Sequence, residues 1–256
     1  MAKGHAYGQD LMNFMLRPYA EAFVRIFYPA ACALCAKRLE LEERSLCFEC
    51  AQKLNRLAWS PDQTWMSEHF EFLDDAWAVY AYRPPLKQLL HAVKYARRGH
   101  LLEQCREPAL SLAHAVSGDR SYDAVLPVPI HRLKRLKRHF NQSEILAELL
   151  RPAWSVPVIR SLLVKRHPIP SQTSLDHEER AINIYGAFRV RSPRKARGRS
   201  FLLVDDVVTT GATANEAARV LKSCGARRVD LLALARASGP DNDLPEKQIE
   251  IHPARR

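Results

Sequence analysis

The chain has 256 residues, 47% of them hydrophobic, and a formal net charge of +11 with histidine neutral. That length accommodates one large domain or a medium domain with a small companion, and the charge favours anionic partners: phosphorylated small molecules, nucleic acid or an acidic membrane face. There is no apolar run of about eighteen residues, so no transmembrane segment is expected, and Asp10, Arg17 and Glu21 interrupt any secretory apolar core, which points to a cytoplasmic protein with reduced thiols.

Leu11, Met12, Met15, Leu16, Tyr19, Phe23 and Phe27 recur at helical spacing. They predict an N-terminal amphipathic helix within residues 1–28. Packing on a neighbouring domain is its expected use, with a membrane surface as the other. Residues 29–55 follow as a small four-cysteine domain: Cys32-x2-Cys35, eleven residues, then Cys47-x2-Cys50. Each CxxC knuckle offers two thiolates from one tight turn, and two knuckles close a tetrahedral shell around Zn2+. A full sulfur shell leaves no position for substrate, so the zinc is expected to be structural and to fold a segment without a core of its own. A redox dithiol pair is the alternative for this spacing. The loop from Lys37 to Arg44 mixes cations with Glu40, Glu42 and Glu43 and argues little for a DNA-reading surface.

Residues 56–75, with Trp59, Pro61 and Trp65, read as a polar connector. AWAVYAY (76–82) alternates as a strand and Pro84-Pro85 ends it. Residues 86–116 read as two helices broken near Arg97-Arg98-Gly99. DAVLPVPI (123–130) is a short strand, followed by a basic helix through residue 150. VPVIRSLLV (156–164) is a further strand, and residues 165–198 are polar with no strong period. FLLVDDV (201–207) is a strand, residues 212–224 a helix and RVDLLALA (228–235) a last strand. Strands alternating with helices over residues 76–240 predict an α/β domain with a parallel sheet and crossover helices. A polar tail, 241–256, completes the chain, with QIEIH as a candidate edge strand. Cys105 and Cys224 stand alone in apolar helical context and are expected in the core.

FLLVDDVVTTGAT sets the chemical question. In doubly wound sheets ligands bind at the carboxyl ends of the strands, where Asp205 and Asp206 sit. The turn Thr209-Thr210-Gly211-Ala212-Thr213 then feeds a helix N-terminus, whose free amides and dipole favour an anion. Gly211 permits close backbone approach and the threonine hydroxyls add donors. The turn is suited to a phosphate monoester. Two carboxylates would repel that phosphate unless they contact sugar hydroxyls, or Mg2+ and its waters, lying between. A sugar with a terminal phosphate, a diol and a metal-binding group fits both: 5-phosphoribosyl-1-pyrophosphate. The structural alternative is a plain strand-to-helix loop with two exposed acids and a threonine cap.

VDDVVTTGAT resembles the phosphoribosyl-pyrophosphate signature of type I phosphoribosyltransferases. Other segments are similar to one branch of them, the ComF/GntX family: AVKYARRGH (92–100), VLPVPIHRLKRLKRHFNQSEILA (125–147), KRHPIPSQTSLDHEERAINIYGAF (165–188) and LALAR (232–236), together with the four cysteines. His139 stands where that family usually has glycine before Phe-Asn-Gln. The resemblance implies a type I phosphoribosyltransferase fold with an N-terminal zinc ribbon. It implies a 5′-phosphate on Thr209, Thr210, Gly211, Ala212 and Thr213, and ribose hydroxyls and hydrated Mg2+ on Asp205 and Asp206. It implies a pyrophosphate loop around Pro129, His131 and Arg132, and a mobile lid carrying Arg166, Gln172, Arg180 and Asn183. It also implies two functions: a Mg2+-dependent phosphoribosyltransferase of unassigned acceptor, or a non-catalytic competence protein that handles single-stranded DNA beside a competence helicase. The sequence leaves the oligomeric state open.

HRLKRLKRHF (131–140) places Leu133, Leu136 and Phe140 on one helical face and Arg132, Lys134, Arg135, Lys137 and Arg138 around the rest. A solvated face, a diphosphate clamp at its start and contact with a nucleic-acid backbone all fit that pattern. No aromatic ladder accompanies it, so a stacking platform for single strands is not indicated.

Overall fold

The computed structural model describes residues 30–58, 70–118, 120–166 and 184–237. The expected helix within 1–28, Trp59, Trp65, Gln172, Arg180, Asn183 and the tail 241–256 lie outside the described residues. The chain divides into two compact units, residues 1–56 and 57–256.

In the first unit the leading knuckle closes on itself. Ala36 N donates to Cys32 O at 2.9 Å, and Ala31 bridges Arg38 antiparallel. The second knuckle opens helix α1 (Phe48–Asn55), with Cys47 at its N-cap and Cys50 within its first turn. Leu39, Leu46 and Leu54 are buried with Cys32, Cys47 and Cys50. Among the described residues of this unit the buried apolar side chains are few, and a metal staple is what adds stability to such a segment.

The second unit is built on a four-stranded parallel sheet in the order β1-β6-β5-β2, with β1 Ala76–Ala81, β2 Ala124–Pro127, β5 Ser200–Val208 and β6 Arg228–Arg236. Phe201 to Val204 and Leu231 to Ala235 are buried without alternation, so both faces of the sheet are covered, as parallel sheets require. Helix α2 (Leu86–Tyr95), a 3-10 segment (Gly99–Cys105) and α3 (Arg106–Ser117) connect β1 to β2. Helices α4 (Arg132–Arg138) and α5 (Gln142–Trp154) follow β2, and α6 (Ala212–Ser223) joins β5 to β6. One face packs Phe201, Leu203, Leu231 and Ala233 against Ala214, Ala217, Ala218 and Leu221 of α6. Each buried leucine or phenylalanine among them stabilises by roughly 1.5–3 kcal/mol.

Five expectations meet a different structure. The basic helix expected through residue 150 is two helices, split by His139 in a left-handed conformation (φ 65°). The expected strand 156–164 reduces to a single parallel bridge, Val125 to Val158. Pro157 lacks the N–H a ladder needs, and the chain turns away over residues 160–162. It then enters β3 (Leu163–Lys165), which pairs antiparallel with β4 (Phe188–Val190) in a separate two-stranded ribbon. The polar stretch 165–198 therefore contains a strand and a short 3-10 turn, Pro193–Lys195. The connector expected over 56–75 is not wholly external, because Phe70 and Leu73 join the core. Cys105 is buried as expected, whereas Cys224 is only partly so, at the C-cap of α6.

Candidate functional site

The sheet treats its two ends differently. At the N-terminal end, the buried Asp230 carboxylate accepts from Tyr122 Oη at 2.7 Å, Arg228 Nε at 2.8 Å and Asp75 N at 3.1 Å. There Asp123 also caps Ser200 N at 2.8 Å. These acids are matched by donors and serve the fold. The carboxyl end of β5 carries Asp205 and Asp206 with a thinner supply.

Asp205 Oδ1 accepts from Ser143 Oγ at 3.1 Å and from Asp206 N at 2.8 Å. Burial, with the neighbouring Asp206 charge, pushes its carboxyl up to about 7, above the ordinary 3.8, against the pull of those donors and of Lys94. The Lys94 ammonium, from the last turn of α2, lies 2.6 Å from Asp206 Oδ2. The pair is close enough for ionic attraction, but that oxygen has no aligned hydrogen bond. Two adjacent acids, one resisting ionisation, are what a cation or a cluster of sugar hydroxyls would relieve.

Beyond the acids, β5 turns through residues 209–211 into α6. Gly211 is the N-cap at φ 77°, the left-handed region where a Cβ is strained. A Cβ there would also collide with the Phe70 ring. Thr210 Oγ1 accepts from Ala212 N at 3.3 Å, and the amides of Thr209, Thr210 and Gly211 have no acceptor among the described residues. Asn215 Oδ1 accepts from Phe72 N at 3.0 Å and so fastens the segment carrying Phe70 to α6. The outcome is a tight turn at a helix N-terminus with unclaimed donors, a geometry that favours an oxyanion.

The loop after β2 is wired to the acids. Asn141, at the N-cap of α5, is buried; its Nδ2 donates to Val128 O at 3.0 Å and its Oδ1 accepts from Ser143 N at 3.2 Å. Ser143 in turn reaches Asp205. His131 caps α4, its Nδ1 accepting from Leu133 N at 3.3 Å. Pro129, His131, Arg132 and Arg166 line one cavity of about 740 Å3. The structure thus brings these four together in one place and the acids and turn together in another. Ser143, bonded to Asp205, is followed directly by Glu144, which lines the cavity. Gln172, Arg180 and Asn183 of the expected lid lie outside the described residues. The ribbon flanking that segment is fixed to α6, where Glu216 accepts from Gly186 N at 2.8 Å and pairs with Arg219 at 2.6 Å.

Sequence reading left four residues at the strand ends without a role: Lys94, Ser143, Asn141 and Phe70. The first three lie in segments quoted for their resemblance, but nothing local says that they converge on Asp205, Asp206 and the β2 loop. Phe70 carried no signal at all. Gln142 is buried with Nε2 unpartnered. Arg236, opposite Val208 on the neighbouring strand, is partly buried, and burial lowers its pKa.

In the first unit the four Sγ atoms of Cys32, Cys35, Cys47 and Cys50 lie within 4.8 Å of one another, with Cys35 and Cys47 3.6 Å apart. Bonds of about 2.3 Å to a tetrahedral zinc imply S···S edges of roughly 3.8 Å, so the donor set fits. Burial opposes ionisation of Cys32, yet amide donors from Cys35, Cys47 and Leu34 outweigh it and bring the thiol down to about 6. Burial and the neighbouring sulfurs push the Cys50 thiol up, so the four thiols do not ionise alike before a metal draws them to thiolates.

The comparisons with known proteins agree with this architecture. A phosphoribosyl transferase domain model matches residues 146–250. "DNA utilization protein YhgH" of Escherichia coli K12 is 32% identical over 161 residues, covering 62% of this chain and 70% of that protein. "Competence protein F" of Haemophilus influenzae is 30% identical over 116 residues, covering 45% of this chain and 51% of that protein. The chain belongs to the ComF family of phosphoribosyltransferase-like proteins. Among solved structures, a glutamine phosphoribosylpyrophosphate amidotransferase from B. subtilis, complexed with ADP and GMP, matches with a TM-score of 0.34 at 18% identity, over 50% of this chain and 26% of that one. This ComF-family chain combines a type I phosphoribosyltransferase fold, a parallel sheet flanked by helices, with a four-cysteine cluster near its N-terminus. Among its described residues no helix is long and apolar enough to cross a membrane.

Proposed function

We propose that this ComF-family protein binds phosphoribosyl pyrophosphate with Mg2+ at the carboxyl ends of β5 and β2. One observation carries the reading: a carboxylate pair and a left-handed glycine turn with free amides follow each other on one strand-to-helix connection. In this reading the turn Thr209–Thr213 holds the 5′-phosphate. Asp205 and Asp206 take the ribose hydroxyls, and Mg2+ through its waters. Pro129, His131 and Arg132 face the diphosphate, and Arg166 stands at the root of the lid with Gln172, Arg180 and Asn183. Bound Mg2+ would neutralise charge building on the departing diphosphate.

Transfer, in this reading, breaks the bond from the anomeric carbon to the diphosphate oxygen and forms one to an acceptor nucleophile. The protein's part is positioning and electrostatic: cations for the leaving group and a screened site for the charge-deficient sugar. Nothing in the site demands a protein nucleophile. The reduced thiols of a metal cluster suit a cytoplasmic setting.

Calorimetry tests the reading. Phosphoribosyl pyrophosphate with Mg2+ should give saturable heat with the wild-type chain and none with Asp205→Ala/Asp206→Ala; equal heats would refute it. A pyrophosphate-release assay over a panel of bases and amines then separates a transferase from a binder.

A second reading, binding of single-stranded DNA in uptake alongside a competence helicase, is favoured by the competence and DNA-utilization names of the relatives. It is also favoured by α4, which leaves Leu133 and Leu136 exposed among its arginines. A gel shift that is unaffected by neutralising Arg135 and Arg138 would remove α4 from that role.

A further inference from the structure

FEFLDD (70–75) leads into β1 and lies along α6 as a strap. Phe70 meets Gly211, where a Cβ would overlap the ring. Phe72 N donates to Asn215 Oδ1 at 3.0 Å, and Asp74 pairs with Lys222 Nζ at 2.6 Å. These contacts follow in the same order along the strap and along the helix, from its N-cap to its last turn. Asp74 also fixes the strap to the start of β6, its amide donating to Val229 O at 2.9 Å and its Oδ2 accepting from Val229 N at 2.7 Å. Phe70 and Leu73 are buried in the cluster that contains Ala214, Ala217 and Ala218 of α6.

The ring stands where the turn has least to hold it. Gly211 sits at φ 77°, and glycine has more backbone freedom to lose than any other residue. The amides of Thr209, Thr210 and Gly211 have no acceptor among the described residues, so no hydrogen bond from them keeps the turn in shape. Contact with the Phe70 ring supplies that constraint. The ring is apolar and leaves the amides unclaimed, whereas a polar side chain there would compete for them. Gly211 is buried beneath it, so one flank of the turn is shielded from water, which strengthens the attraction of an amide for an anion. A turn already held in its bound shape has little ordering entropy left to lose when the anion arrives.

We propose that Phe70 is a positioning residue for the phosphate site, its ring holding the turn 209–211 in the shape that presents three amides to an oxyanion. The inference rests on the turn being that site, and it assigns the rigidity of the turn to a residue far from it in sequence.

The test compares the full wild-type chain with Phe70→Ala and Phe70→Leu. In Phe70→Ala the amide order parameters of Thr209, Thr210 and Gly211, from nuclear relaxation, should fall from about 0.85 to below about 0.6. Those of Leu231 to Ala233 in β6 should stay as they are, which a general loss of stability would not allow. Calorimetry with ribose 5-phosphate should show affinity about tenfold weaker. Phe70→Leu keeps apolar bulk and should recover part of both effects; if Phe70→Ala is unfolded, Phe70→Leu takes its place, with the same directions expected. Gly211→Ala gives a check without ligand. It should lower the melting temperature less when Phe70 is also replaced than in the wild-type background, because the overlap with the ring is gone. Rigid order parameters at the turn in the folded variant overturn the proposal. So does an equal Gly211→Ala loss in both backgrounds, or ribose 5-phosphate bound by the variant as tightly as by wild type. If wild type binds neither ribose 5-phosphate nor phosphoribosyl pyrophosphate, the phosphate reading fails, and the order parameters and the Gly211 comparison still decide whether the ring holds the turn.

Discussion

At Asp205 the chain keeps a carboxyl where burial resists its charge. Its folded-state titration lies near 7, above the ordinary 3.8. Between about pH 4 and 7 the folded chain therefore retains a proton that the unfolded chain has released, and stability falls as pH rises through that window. Asp205→Asn removes the penalty while keeping an acceptor for Ser143 and the Asp206 amide. It should raise the unfolding free energy by roughly 1–3 kcal/mol at pH 7.5 and flatten the dependence between pH 5 and 7.5. Urea titrations at the two pH values measure this, and an unaltered slope would show that the carboxyl is not strained. His139 bears a backbone cost of a different kind. Its left-handed φ of 65° explains why a glycine suits this place in the resembling motif. Histidine tolerates that region better than most side chains. His139→Gly should stabilise by roughly 0.5–1 kcal/mol, the strain relieved exceeding the added chain entropy. A thermal melt lower than wild type would contradict it.

Among the elements, α5 is the link between the loop after β2 and the acids of β5. Asn141→Ala would lose the contact to Val128 O and the cap on Ser143 N together, in a buried position. It should cost about 1–3 kcal/mol and weaken phosphoribosyl-pyrophosphate binding more than it lowers the melting temperature of the ligand-free chain would suggest. Calorimetry paired with melts separates those effects. The elements most legible in the sequence are β5 and β6, whose apolar runs are buried, and α6 with the loop that leads into it. Continuous apolar runs bounded by Asp and Gly leave few alternatives. The apolar run 156–164 reports burial and not pairing partners, and Pro157 decides the matter locally. The ribbon of β3 and β4 escaped notice because each strand is three residues long, too short for periodicity. The site was legible along the chain and opaque across it. Asp205, Asp206 and Gly211 are neighbours in sequence, whereas Lys94, Ser143 and Phe70 reach them only through tertiary packing.

The whole molecule divides its stabilising chemistry between two units. The larger one has a continuous buried sheet; among its described residues the smaller has a handful of buried leucines around four thiols. Metal binding and folding should therefore be coupled in the first unit. Protein purified without chelator should contain about one zinc per chain by elemental analysis, and Cys47→Ser should abolish most of it. Chelation should remove the residues 1–56 from the protease-resistant fraction while a core from the second unit persists. Retention of full zinc by the Cys47 variant would exclude the four-sulfur shell. The charge of +11 is a property of the same scale: every anion met by this chain, large or small, is drawn in before any pocket discriminates, and that attraction weakens with salt.

The ammonium of Lys94 beside Asp206 has a further result. It already supplies the acid pair with an internal cation. Under the proposed binding of phosphoribosyl pyrophosphate with Mg2+, bare magnesium would have to evict that tenant, whereas a metal already wrapped in diphosphate would bring its own compensation, and the doorway would favour the pre-assembled couple over either component alone.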